Sequence, residues 1–449
     1  MRALRSEAEP LTPEERLLIL TTYSALSGAE REEALRLAGR VSSWEGFSEL
    51  ALSNATGPLV QSNLARLGLP VPPPLSALAA RVREENQARL RVARELFERF
   101  SSRGIPVVIL KGVLFAETIY RNPAYKRMND VDILVRREDL DSVHAVYGEM
   151  GFFSAAELVG GKPRGQERRS HHAPPFFSRD LKCMVGTHWG LITPLSPYRP
   201  DHEAIWSRVR DLDFQGVPAK AMAAEDNLHH LCIHLPYYKT GLRELADIYN
   251  LIRHHRLDWS LFLGEVRKAR TQDLVYHALS LSNQVCPSLE AEEALLRLKP
   301  EVSGWFCRDA RLKTESLKRL LRSRSIHISL IEKAFADLRA TRKASEKWSA
   351  FLRMWGGMLL VPGEDAARMS SLDRPTLRAR LSAPGRIRRV FYRDVGRLFF
   401  WGIMAKCALE VAWAALLAPF RREEDGHAAF AEKVGVSLAD LQRLKEALE

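Results

Sequence analysis

The sequence has little cysteine, and what it has is scattered. Five cysteines in 449 residues (Cys183, Cys232, Cys286, Cys307 and Cys407) form no CxxC pair and leave an odd one over. That pattern argues against a disulfide framework or a structural zinc site and suits a reducing compartment. The opening MRALRSEAEPLTPEE lacks the apolar stretch of an export signal, so a cytoplasmic protein is expected. No internal repeat and no low-complexity block is present, which excludes a repeat architecture. Nor is there a GxSxG, Walker A, GxGxxG or HExxH signature, which lowers the serine-hydrolase, P-loop, Rossmann and zinc-peptidase alternatives. One apolar run, Leu398–Phe420, is long enough to cross a bilayer, but Lys406 and Glu410 fall inside it, four apart and on one helical face. Two charges at mid-span are costly in hydrocarbon, so a helix packed on protein or lying in a membrane interface is expected instead.

What is present is the make-up of a folded protein. Hydrophobic residues are 46% and charged residues 27% of the chain, which excludes a disordered or fibrous one. The length allows two to four domains or one multi-lobed enzyme. Basic residues outnumber acidic ones, 67 to 55, for a net charge of +12. That balance is compatible with an acidic partner such as a nucleotide, a nucleic acid or an anionic lipid surface. It is densest over 374–397, where eight arginines face one acid, Asp394. Such a run reads either as a solvated face or as a binding surface.

Helical signals dominate both ends. Thr12 followed by Pro13, Glu14 and Glu15 is an N-cap, a first-position proline and two acids at the positive helix end. Helical spacing then recurs through Leu17–Leu26 and Glu32–Leu37, and one helix is expected over Ser48–Leu67. Leu69–Pro74 is a proline break, and Leu75–Phe100 is rich enough in Ala, Arg, Glu and Leu to predict one long amphipathic helix. Further helices are expected over Glu138–Met150 (stopped by Gly151), Glu225–Leu235, Leu242–Arg253, within Leu257–Ser282, and over Glu290–Leu298 and Ile326–Arg339. Leu158–Arg169 reads as a basic loop, and Phe430–Leu448 as a helical hairpin tail. The expected organisation is a helical region over 1–100, a core over 101–215, a second helical region over 216–373, the Arg-rich and apolar segment over 374–425, and the tail over 426–449.

The candidate site lies in Ile105–Val135, IPVVILKGVLFAETIYRNPAYKRMNDVDILV. Val107–Leu110 and Ile133–Val135 are short, partly β-branched runs that read as buried strands. Lys111-Gly112 falls where the first gives way to a helix, and Asp130 and Asp132 fall where the second begins. Side chains two apart on a strand share a face, so these carboxylates project together and could hold Mg²⁺, as one ion or two. The Lys-Gly corner is either a plain turn or, with free amides at a positive helix end, a phosphate seat. Leu181–Trp189 reads as a later strand with Met184, Gly186 and His188 on one face.

Taken together, Val107–Gly112, Tyr120, Arg127 and Asp130–Val135 resemble the bacterial family described as uncharacterised nucleotidyltransferases, within the superfamily that has a polymerase-β-like core. The likeness extends to Ser43–Gly68, the His188-Trp189 pair, Glu225–Leu235 with Asp247, and Met358–Pro375, so it covers most of residues 15–400. It implies an α/β fold with mostly α content: a small mixed sheet flanked by N- and C-terminal helical regions. It also implies a cytoplasmic enzyme that uses Mg²⁺ and a nucleoside triphosphate, NTP, to transfer a nucleotide to an acceptor: a small molecule, a peptide or a nucleic acid. Asp130 and Asp132 would hold metal, Lys111, Gly112 and Arg127 would contact the nucleotide, and His188 is a candidate base. The family pattern leads to a third acid at the position of Gly186, which has no side chain to bind metal or accept a proton. Two alternatives follow: a nucleotide-binding protein of the same fold with impaired catalysis, and a lipid or nucleic-acid contact, peripheral to a membrane, through 374–420. His171 and His172 lie in a loop within reach of the site. His230 and His234, four apart with Asp247 beyond, are expected to be packing residues rather than metal ligands.

Overall fold

The computed structural model describes residues 10–155, 170–194, 196–235, 242–302 and 317–323, with positions 307, 310 and 437. The Arg-rich run, the apolar segment 398–420, the helix expected over Ile326–Arg339, the loop 158–169 and the tail hairpin lie outside these residues.

A mixed sheet forms the core. Its strands are β1 (Val108–Ile109), β2 (Val131–Leu134), β3 (Phe153–Ser154), β4 (Phe176–Phe177), β5 (Met184–His188), β6 (Arg210–Phe214) and β7 (Val217–Ala221), in the order β3-β4-β5-β2-β1-β7-β6. β2 lies antiparallel to β1 and parallel to β5, in a register that sets Asp132 opposite Gly186 and Leu134 opposite His188. β1 runs parallel to β7, whose hairpin with β6 closes that side. Both expected strands of the site stretch are therefore central, and β1 and β2 are buried along their whole length, with Asp132 the one charged side chain among them.

The helices cover the sheet and extend beyond it. The helix Pro73–Ser102 packs on β7 and on the helix Leu140–Glu149. Phe97 meets Phe214 edge-on at 5.1 Å, and Phe100 meets Tyr147 at 6.1 Å. The helices Ala224–His234, Leu242–His254, Trp259–Ala269 and Gln272–Val285 pack on one another. The N-terminal helices are tied to that group by polar contacts: Thr22 and Tyr249 hydroxyls 2.5 Å apart, and Asn250 Oδ1 accepting from the Ser24 amide at 2.7 Å.

Most local expectations hold. Thr12 caps Pro13–Leu20 through a full capping box with Glu15, and Gly151 stands at φ +73° just past Leu140–Glu149. Two expectations fail. The helical spacing read through Leu26 stops at Leu20, where Thr21 ends the helix. Ser48–Leu67 is two helices, Trp44–Ser53 and Gly57–Leu67. Asn54 ends the first with its side chain on the Leu50 carbonyl, Ala55 turns left-handed at φ +57°, and Pro58 restarts the helix at a position where its missing N–H costs nothing. The strand read over Leu181–Trp189 is present as β5, but β3, β4, β6 and β7 were not read. β3 and β4 have two residues each, too few to carry a period. The β6–β7 hairpin did leave a signal in Gln215-Gly216, which take φ +54° and +84°, the doubly positive pair of a primed turn.

Candidate active site

The loop that delivers the two aspartates is fixed from behind by one asparagine. Asn86, fully buried on the helix Pro73–Ser102, donates to the carbonyls of Pro123 and Lys126 at 2.6 and 2.7 Å and accepts from the Met128 amide at 3.1 Å. Tyr120 and Tyr125 stack at 4.0 Å in the same loop, and the Tyr125 hydroxyl donates to the Gly112 carbonyl. The chain then enters β2 with Asp130 just before it and Asp132 inside it.

Across from them, β1 turns into the helix Lys111–Thr118. Lys111 makes that corner at φ +44°, a left-handed conformation that suits glycine and strains other residues. Its Nζ lies 3.0 Å from Asp132 Oδ2, with both side chains largely buried (14% and 10% exposed). The other oxygen, Oδ1, accepts from His188 Nε2 at 3.1 Å. Burial opposes the charge on Asp132, but Lys111 and His188 outweigh it and hold the carboxyl well below the usual range. Burial also keeps His188 neutral, against the pull of Asp132, so the bond needs its Nε2–H tautomer. Asp130 has the opposite environment. Burial first, and then the charge of Asp132, push it up to about 7, and no cation among the described residues comes within ion-pairing distance.

Asp130 and Asp132 line one cavity of about 200 Å³ with Lys111, Gly112, Lys126, Arg127 and, from the helical side, Leu231, Arg243 and Asp247. Arg127 reaches this cleft but sends its Nε to Glu85 at 3.1 Å. Lys126, which the motif did not single out, turns inward and pairs with Asp247. Asp247 also accepts from Tyr120 at 3.0 Å, and Asn250 in turn donates to the Tyr120 hydroxyl at 3.1 Å. Sequence reasoning passed over Asn86 and Lys126, because a buried asparagine on an amphipathic helix and a lysine beside an arginine carry no local signal.

The histidines gather behind Asp132. The rings of His171 and His172 lie 5.6 and 5.4 Å from that of His188, and His171 is 6.4 Å from His234. His230 meets His234 edge-on at 4.5 Å, and both of its ring nitrogens are buried without a hydrogen-bond partner among the described residues. Among the described residues no three His, Cys, Asp or Glu side chains are placed to hold a metal ion together. Gly186 faces Asp132 across the strands, and a β-carbon there would overlap Oδ1. The Asp132 carboxylate fills the room that a side chain at 186 would need.

Residues 41–287, more than half of the chain, match the family described as uncharacterised nucleotidyltransferase. The chain belongs to that family. The match contains the sheet, the Asp130–Asp132 pair, Lys111 and the helices from Trp44 to Val285, so every residue of this cleft lies within the nucleotidyltransferase region. No curated protein matches the chain. Among the described residues, no helix is long and apolar enough to cross a membrane.

Proposed function

We propose that the chain is a nucleotidyltransferase with a polymerase-β-like core, which uses Mg²⁺ and a nucleoside triphosphate to place a nucleotide on an acceptor. One observation supports this reading above the rest: Asp130, Asp132 and the Lys111 ammonium line the same cleft at the start of a helix. The donor set suits a hard cation, since Mg²⁺ is commonly held by one or two carboxylates and completed by water and phosphate oxygens. Asp130 in particular is a half-buried carboxylate with no ion-pair partner among the described residues, and a metal ion would neutralise it.

In this mechanism Asp130 and Asp132 hold the metal, and bound Mg²⁺ would offset charge on the triphosphate as the leaving group departs. Lys111 and the amides at Gly112 face the phosphates, and Arg127 stands at the rim. The acceptor oxygen bonds to the α-phosphorus, the bond from that phosphorus to the α,β-bridging oxygen breaks, and pyrophosphate leaves with the electron pair. A proton on the acceptor passes to water. His188 orients Asp132 through Nε2 rather than taking that proton. The helices Ala224–His234 and Leu242–His254 supply the opposite wall and select the acceptor. The cytoplasm is the proposed setting.

The test uses each α-labelled triphosphate with Mg²⁺ and a panel of small-molecule, peptide and RNA acceptors. Label transfer with pyrophosphate release is expected, and Asp130→Ala and Asp132→Ala are each expected to abolish it. Full transfer by both variants refutes the reading. Gly186 favours a second one, a nucleotide-binding protein without turnover. Calorimetric binding of a triphosphate with no pyrophosphate release across the panel supports that alternative.

A further inference from the structure

Two-ion phosphoryl-transfer sites clamp the attacking and leaving oxygens between a pair of cations about 3.5–4 Å apart. Each ion needs oxygen ligands at close range, about 2.0–2.1 Å for Mg²⁺ in near-octahedral geometry. The cleft here departs from that requirement at one place. Both oxygens of Asp132 are engaged, Oδ1 by His188 at 3.1 Å and Oδ2 by Lys111 at 3.0 Å. The residue opposite in the strand register is Gly186, which offers no ligand, and the Asp132 carboxylate occupies its side-chain space. A divalent ion on Oδ2 would meet the Lys111 ammonium against its coordination shell.

Lys111 is not there by default. The corner backbone, at φ +44°, is one that glycine adopts freely, and a lysine in it is strained. The strain brings a positive charge to Asp132 on the cleft side of the sheet, at the first residue of a helix. Asp130, two residues away in the same cleft, makes no ion pair among the described residues, and the charges of Lys111 and Lys126 reach it only from farther off.

We propose that this site takes a single divalent cation, bound through Asp130 together with the triphosphate, and that the Lys111 ammonium is the built-in second cation, seated on Asp132. This proposal rests on the nucleotidyltransferase reading and deepens it, narrowing the carboxylates that would hold the metal from the Asp130–Asp132 pair to Asp130. His188 is then a positioning residue, holding Asp132 so that it keeps Lys111 aimed at the phosphates. The arrangement fixes one positive charge at the site before any ligand arrives and leaves one for the metal to bring.

The experiment counts ions rather than turnover. The full-length protein is equilibrated with Mn²⁺ and the non-cleavable α,β-methylene analogues of ATP, GTP, CTP and UTP, one at a time. Bound Mn²⁺ per bound nucleotide is measured by electron paramagnetic resonance and calorimetry. One ion per nucleotide is expected, with the spectrum of an isolated Mn²⁺. Lys111→Met is expected to raise the count to two, with the spin coupling of ions a few ångströms apart. Two ions in the wild-type complex overturn the proposal and leave the nucleotidyltransferase reading standing. A count that stays at one in Lys111→Met overturns it as well, because the lysine is then not what excludes the second ion. If none of the four analogues binds, the nucleotidyltransferase reading falls, and this proposal with it. Should Lys111→Met fail to fold, as judged by circular dichroism, the wild-type count still decides.

Discussion

Replacing Asp130 with asparagine is expected to stabilise the protein, and to do so more at high pH than at low. In the folded chain the Asp130 carboxyl is pushed up to about 7 by burial and by its neighbour Asp132. In the unfolded chain it titrates near 3.9. The folded state therefore binds more protons between these values, so the group's contribution to stability falls as pH rises through that window. The penalty is small near pH 4, grows by about 1.4 kcal/mol per pH unit and levels off above pH 7 at no more than about 4 kcal/mol. Water in the cleft screens part of it, which leaves about 2–4 kcal/mol. The neutral asparagine keeps the shape and removes the penalty. Thermal melts of wild type and Asp130→Asn in EDTA are expected to show a gain of several degrees at pH 8, at roughly 2 °C per kcal/mol, and about a third of that at pH 5. Because the comparison is made at fixed pH, other titrating groups largely cancel. An equal gain at both pH values, or a loss at pH 8, refutes the argument. Mg²⁺ is expected to raise the melting temperature of wild type at pH 8 and not that of the variant, by mass action on the folded state.

Tyr120→Phe deletes the hydroxyl that joins Asp247 to Asn250 and leaves both short of a partner; a loss of about 1–3 kcal/mol in urea denaturation is expected. Lys126→Ala leaves the buried Asp247 without its ion-pair partner and is expected to cost about 3–5 kcal/mol, read the same way. Acid will destabilise the fold through histidines that burial keeps neutral: His171 is lowered to about 3, His229 to about 4, and His230 well below its ordinary value. Their folded values lie below the unfolded one, so their contribution is complete above about pH 6.5 and is lost as pH falls through it, by up to about 1.4 kcal/mol per pH unit for each. His230→Phe is expected to flatten the fall in melting temperature between pH 6.5 and pH 5; an unchanged slope refutes that assignment.

The helices were legible wherever caps and periodicity agreed. Thr12 with Pro13 and Glu15 gave the first helix, and Gly151 ended the one over Leu140–Glu149. Where an interruption was written in backbone chemistry rather than hydropathy, as at Asn54-Ala55 before Gly57-Pro58, the apolar spacing ran on and concealed two helices. The aspartate pair was legible because a strand's period of two puts Asp130 and Asp132 on one side by local geometry alone. The opposite wall of the cleft was not. Arg243 and Asp247 come from a helix more than a hundred residues downstream, and no local period relates them to β2.

The sequence by itself determined the presence of the helices, the strand that carries the DxD pair, the lysine at the corner before it and the glycine at 186. These follow from side-chain chemistry and near-neighbour spacing. Only the tertiary structure decided what the lysine and the glycine do to each other's neighbourhood. The parallel register of β2 and β5 sets Gly186 against Asp132, the corner at Lys111 reaches the same carboxylate from β1, and His188 closes its other oxygen. Charge on a carboxylate depends on what lies within a few ångströms of it, and strand pairing sets that distance. That is why two aspartates separated by one residue end with opposite electrostatic fates, one held well below the usual carboxylate range and the other pushed above it.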